Sequence, residues 1–303
     1  TLGGLGPGEL VPPLPGTSWD ETCLMAAAMS ADPAATVLDL MTCNLALAGR
    51  AAAAPEIGAR LPDALLDAVR WALVERSRDP NADLRARIDA GLALGPLGDP
   101  RFARRDGPYG AYLEPPMVEI PGGTRTIGWD EPGEYLGEPY HVSVPMHQVT
   151  LKRFALGRFP VTNAEYACFV DGGGYDEPRW WPTPAAEAWR DGTTTTAGRR
   201  ADMMAIWDRF ALRPDMLDNM LVDGTMRQPT YDRWKGHLLL TREAFGARLA
   251  EMFPNRRGTQ PRLWQDHGGF DPVRPITGIC WFEALAYCNW LTAQSGVTYR
   301  LPT

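Results

Sequence analysis

Around residue 105 the chain changes character, and that change divides it into two unlike parts. Before it, alanine is abundant and apolar residues recur at helical spacing; after it, helix formers thin out and Gly, Pro, Thr, Tyr and Trp rise. Ser18 is placed to cap a helix from Trp19 to Met29, whose first turn carries Asp20 and Glu21 at the favourable end of the dipole. Pro33 opens a second helix in which Val37, Leu40 and Met41 share a face. Leu61, Leu65, Ala68, Val69 and Ala72 repeat the spacing, as do Leu84, Ile88, Gly91, Leu92 and Gly95, with Pro, Gly and Asp in the breaks. The pattern predicts an α-helical repeat segment over 1–105, a linker over 106–116 and a mixed α+β domain over 117–303.

Three blocks of the second part carry local instructions. In Met117 to Asp130, a short strand reaches Pro121-Gly122-Gly123, a turn chemistry that predicts a fold-back into a second strand. In His147 to Val170, Val149, Leu151 and Arg153 alternate, and Thr162 then begins a helix. Thr162 and Glu165 have the spacing of a reciprocal capping box, and Val161 with Tyr166 that of a hydrophobic staple; Tyr166, Phe169 and Val170 turn inward together. In Arg274 to Thr303, Ala284, Tyr287, Cys288 and Leu291 share a helical face, Gly296 ends the helix, and Thr298 to Leu301 restarts an extended strand.

In this order, M-V-x-I-P-G-G, H-x-V-T-L with V-T-N-x-x-Y, W-x-E-A-x-A-Y-C-x-W-L and Y-R-L-P-T resemble the formylglycine-generating-enzyme (sulfatase-modifying factor, C-type-lectin-like) family. The resemblance covers roughly 117–175 and 272–303, with an insertion at about 176–271, and corresponds to the front half of that domain. It implies that the family's paired copper-binding cysteines lie beyond Thr303, so none of Cys23, Cys43, Cys168, Cys280 and Cys288 is assigned to catalysis. Copper or calcium would belong with that further segment, and no cofactor is expected on this chain. Leu84 to Phe102 is similar to a HEAT-type repeat, and Ser18 to Met41 to helical material behind the NTPase of NACHT-type signalling proteins.

Other chemistry is thinly represented. A net charge of −7 argues against nucleic acid and anionic membrane as partners, and five cysteines without a CxxC pair fit free thiols in a cytoplasmic setting. The four histidines, His141, His147, His237 and His267, have no ligand spacing, and the helical segment, where the family's ergothioneine-type iron enzymes need histidines, has none. Cys280, at the start of the last helix, is the candidate reactive thiol, against a reading as a small capping residue. Trp180, Trp181, Trp189, Trp207, Trp234 and Trp264 of the insertion are the candidate binding surface, against packing on the insertion's own core. Two functions stay open: a non-catalytic ligand- or protein-sensing module of a larger bacterial defence protein, with a protein partner, and a copper-dependent formylglycine-generating oxidase.

Overall fold

The structure, a computed structural model, describes residues 19–128, 133–135, 138–140, 145–264 and 271–302. The chain forms two compact units, Thr1–Cys168 with Gly268–Ile276, and Phe169–His267 with Thr277–Thr303.

In the first unit, α1 (Asp20–Met29), α2 (Pro33–Cys43), α3 (Leu45–Ala53), α4 (Pro55–Gly58), α5 (Asp63–Arg78) and α6 (Leu84–Leu97) build the helical segment. Asp32 and Asn44 cap α2 and α3 by accepting from Ala35 N at 3.1 Å and Leu47 N at 3.0 Å. The expected cap Ser18 lies outside the described residues. At its other end α1 is closed by Arg60, whose guanidinium donates to the carbonyls of Ala28 and Ser30.

The inner faces differ from those the large residues mark. On α6 the buried positions are Ala90, Ala93, Leu94 and Leu97, while Ile88 is exposed; on α5 they are Val69, Leu73 and Val74, while Ala68 is exposed. A Cβ on Gly49 of α3 would stand 2.8 Å from Leu73 Cδ1 and 3.1 Å from Ala93 Cβ, so α3 has its smallest residue where side chains of α5 and α6 reach it. Val273, from far along the chain, packs against the same core.

The stretch expected as a linker contains most of a hairpin, β1 (Ala103–Gly107) paired with β2 (Gly110–Glu114), with Gly110 at φ 103° beside the two-residue turn. The Pro-Gly-Gly fold-back does not occur. β3 (Met117–Ile120) pairs with β8 (Phe154–Gly157) and β4 (Gly123–Ile127) with β7 (His147–Leu151), in one register from Met117↔Gly157 to Ile127↔His147. The two pairs form a single antiparallel ribbon interrupted at Pro121-Gly122. Pro121 has no N–H to give the ladder, and a Cβ on Gly122 would lie 2.9 Å from Arg153 N and 3.0 Å from Leu151 O. Between the arms, β5 (Gly133–Tyr135) and β6 (Glu138–Tyr140) pair as a further hairpin. α7 (Asn163–Asp171) follows the ribbon, and the division between the units falls within it.

The second unit holds α8 (Pro184–Arg190), α9 (Ala197–Leu212), α10 (Pro214–Val222), α11 (Gln228–Leu238), α12 (Arg242–Met252) and α13 (Trp281–Ser295). The insertion thus contains more helix than its two expected stretches, and α9 to α12 close over a core of their own, with Phe210, Leu217, Trp234, Phe245 and Leu249 buried. After Gly296, in the left-handed conformation at φ 73°, the expected strand is absent: Tyr299 is held by its N–H donating to Thr292 Oγ1 at 2.9 Å. Among the described residues no helix is long and apolar enough to cross a membrane.

Candidate functional site

Two helix starts concentrate the buried polar chemistry of the family blocks. At α7, Thr162 N donates to Glu165 Oε2 at 2.7 Å, Thr162 Oγ1 donates to the same oxygen at 2.8 Å, and Glu165 N donates back to Thr162 Oγ1 at 3.3 Å. This is the expected capping box, and both residues are buried. The segment 271–276 secures it from outside: Asn163 N donates to Arg274 O, Ala164 N to Pro272 O, and Ile276 N to Val161 O. Burial pushes the Glu165 carboxyl above its ordinary value, and its bonds from Thr162 counter this only in part.

At α13, Glu283 repeats the device. Its Oε2 accepts from Cys280 N at 2.6 Å and its Oε1 from the Tyr175 hydroxyl at 2.6 Å, 108 residues away in sequence. Burial raises this carboxyl too, against the lowering bonds from Tyr175 and Cys280. Around it lie Phe169, Tyr175, Trp181, Tyr287 and Trp290, all buried. Phe169 meets Tyr287 and Trp290 edge-on at 6.1 and 5.7 Å, and Trp181 stacks on Trp189 at 5.6 Å. Trp181 Nε1 donates to Gly174 O, and Asn289 donates to Trp180 O. The inward face of α13 therefore runs through Glu283, Ala286, Tyr287, Trp290, Leu291 and Gln294, with Cys288 beside it. Both Glu283 oxygens accept from the chain's own donors, so the carboxylate acts as a structural acceptor.

Cys280, the candidate reactive thiol, stands half-buried at the start of α13. Burial, with the adjacent Glu283 carboxylate adding to it, pushes its thiol up to about 11, which leaves it protonated at neutral pH. Cys288 is also pushed up to about 11, by burial alone. The six tryptophans do not make one surface. Trp180, Trp181 and Trp234 are buried, and Trp189, Trp207 and Trp264 are partly so. Trp207 and Trp234 pack within the insertion, where Trp207 Nε1 donates to His237 O at 3.0 Å.

The Thr-rich stretch 191–200, polar and repetitive in sequence, is the pinned base of that insertion. Asn255 Oδ1 accepts from Thr196 N at 3.0 Å, Thr195 Oγ1 accepts from Arg256 N at 3.0 Å, and Phe253 O takes the Arg200 guanidinium. Gly192, at φ 84°, lies so close to the returning chain that a Cβ would stand 2.3 Å from Arg257 N. Sequence reasoning missed this strap because its partners are some sixty residues apart, and no local pattern marks them.

Among the described residues no three His, Cys, Asp or Glu side chains are grouped to hold a metal ion. His147 is exposed on β7 and His237 lies in the insertion core, whereas His141 and His267 fall outside the described residues. Residues 110–303 match the family of the sulfatase-modifying factor enzyme 1-like domain, more than half of the chain. Among curated proteins, hercynine oxygenase of Mycolicibacterium smegmatis is 38% identical over 117 residues, 37% of this chain and 25% of that protein. The hercynine oxygenases of Mycolicibacterium thermoresistibile and Mycobacterium tuberculosis are 39% and 38% identical over 80 and 74 residues. The chain spans a quarter or less of the length of these relatives.

Proposed function

We propose that this chain, which belongs to the sulfatase-modifying factor enzyme 1-like domain family, is a non-catalytic ligand- or protein-binding module of a larger signalling or defence protein. The use of its buried acids carries the reading. Glu165 and Glu283 are committed to helix starts and to Tyr175, and the Cys280 thiol is held protonated. These groups serve structure, and the helical insertion is a separately cored body of the kind that recognises a partner protein. The alanine-rich helices of the first unit fit the same kind of protein, as packing material without catalytic groups.

A second reading is favoured by the relatives, which are oxygenases acting on hercynine by name. On that reading the chain is the front portion of an oxygenase, or of a copper-dependent formylglycine-generating oxidase, whose reacting residues lie elsewhere in the protein. The described residues do not fit a metal site, so no step through iron or copper is assigned to them.

Oxygen uptake by the whole protein that carries this chain separates the readings. That protein is supplied with Fe(II) and hercynine, or with Cu(I) and a sulfatase-type cysteine peptide, and no turnover is expected in either arm. Stoichiometric metal uptake with turnover in either would overturn the non-catalytic reading. A partner captured by the whole chain and lost when 197–252 is excised would place recognition on the insertion; undiminished capture would remove it from there.

A further inference from the structure

The insertion core contains one ionisable ring that the scaffold does not use. His237, in the last turn of α11, is 8% exposed and buried between helices. Its ring lies edge-on to Trp234 at 5.6 Å and against Phe245 of α12 at 5.0 Å. Its backbone carbonyl accepts the Trp207 indole of α9, while its ring Nε2 is buried and meets no hydrogen-bond partner. Among the described residues no carboxylate bears on the ring. The cations that bear on the ring are Arg233 of its own helix and Arg248 of α12. On α9, Asp208 is held by Arg242 of α12 and Arg209 is exposed; on α10, Asp218 is bound by Lys235 and Tyr231.

We infer that His237 makes the helical insertion acid-labile: protonation of this one ring loosens α9 to α12 while the aromatic core around Glu283 stays closed. A charged imidazolium at this position would sit against Trp234 and Phe245 without an acceptor, and a buried charge without a partner is among the costliest groups a core can hold. The end of α11 favours a cation through the helix dipole. Burial prevails over it, and with Arg248 and Arg233 it lowers the ring's proton affinity. In the unfolded chain the ring titrates near its ordinary value of about 6.5. The folded insertion therefore has its full stability above that value and loses it as pH falls toward the depressed folded value, because the opened state binds the proton first.

Hydrogen exchange of the whole chain, corrected for intrinsic rates, reads this directly. Between about pH 7.5 and about pH 5.5, within the histidine range, peptides from 197–252 should lose protection several-fold while those from α13 keep theirs. His237→Phe, which fills the same space and cannot ionise, should keep its protection at the lower pH. If that variant does not fold, Arg248→Gln gives the second measurement: with less repulsion the folded ring protonates more readily, and the acid-induced loss should shrink. Equal protection of wild type at both pH values, or a loss unchanged in whichever of these variants folds, overturns the inference.

Discussion

Thr162 was legible as a cap because its partners are local: a hydroxyl, a carboxylate three residues on and two backbone N–H groups suffice to define the box. Thr162→Ala should cost about 0.5–2 kcal/mol of stability. Combined with Glu165→Ala in a double-mutant cycle followed by urea unfolding, the effects should be markedly non-additive; strict additivity would dissolve the box. Burial, which sequence does not give, decides the rest. Cys280 occupies the helix-start position that lowers a thiol's proton affinity, but desolvation and Glu283 reverse the sign. The same burial gives Glu165 and Glu283 a pH signature opposite to that of His237. A carboxyl raised in the folded state contributes stability that is fully present below its unfolded value and is lost as pH rises through the folded one. Glu283→Gln should therefore flatten the pH dependence of stability above the ordinary carboxylate range, measured by denaturant midpoints across mildly acid pH. A profile unchanged from wild type would show that Glu283 does not hold its proton longer when folded.

Elements were read best where periodicity reaches the core through large side chains, and worst where it does not. The α2 face of Val37, Leu40 and Met41 follows the pattern, with Val37 and Leu40 buried. On α6 the pattern pointed to Leu84, Ile88, Gly91, Leu92 and Gly95, yet the helix buries Ala90, Ala93, Leu94 and Leu97 and leaves Ile88 exposed. The ribbon shows the same limit: Pro121-Gly122 has turn chemistry, but the strands on either side of it keep one register with β8 and β7, so it interrupts the ribbon instead of folding it back. Two glycines separate backbone propensity from packing. Gly91, inside α6, has no atom within 4 Å of a built Cβ, so Gly91→Ala should stabilise by up to about 1 kcal/mol. Gly192 combines φ 84° with contact to Arg257 N, so Gly192→Ala should cost about 1–3 kcal/mol. Thermal unfolding of both variants checks the pair; shifts in the same direction would contradict these placements.

At the scale of the whole chain, composition revealed two materials and the resemblance revealed the order of the family blocks, but neither revealed how the chain groups them. The helical segment shares a core with Val273, and the ribbon falls in the same compact unit as that segment. The insertion reads in sequence as a loop rich in Trp and Arg, and its independence became visible only in the bonds that fasten its two stems. Those bonds make a prediction. Thr196 and Asn255 are joined by a backbone-to-side-chain hydrogen bond of 3.0 Å, so the chain between them leaves and returns at one place. Loop closure changes by only about 0.6 kcal/mol per doubling of length. A short Gly-Ser link in place of 197–254 should therefore leave the aromatic core of Phe169, Trp181, Tyr287 and Trp290 intact, because these rings meet one another, Tyr175 and Trp189, all outside the removed helices. Removal also deletes Asn255's neighbours Phe253 and Pro254, so Arg200 and Phe253 vanish together and leave neither an unmatched cation nor an unmatched carbonyl. Near-ultraviolet circular dichroism and the tryptophan emission of the shortened chain should retain a cooperative unfolding transition. Loss of that transition would mean that α9 to α12 help to hold the family fold together, and the insertion would then have to be treated as part of the scaffold.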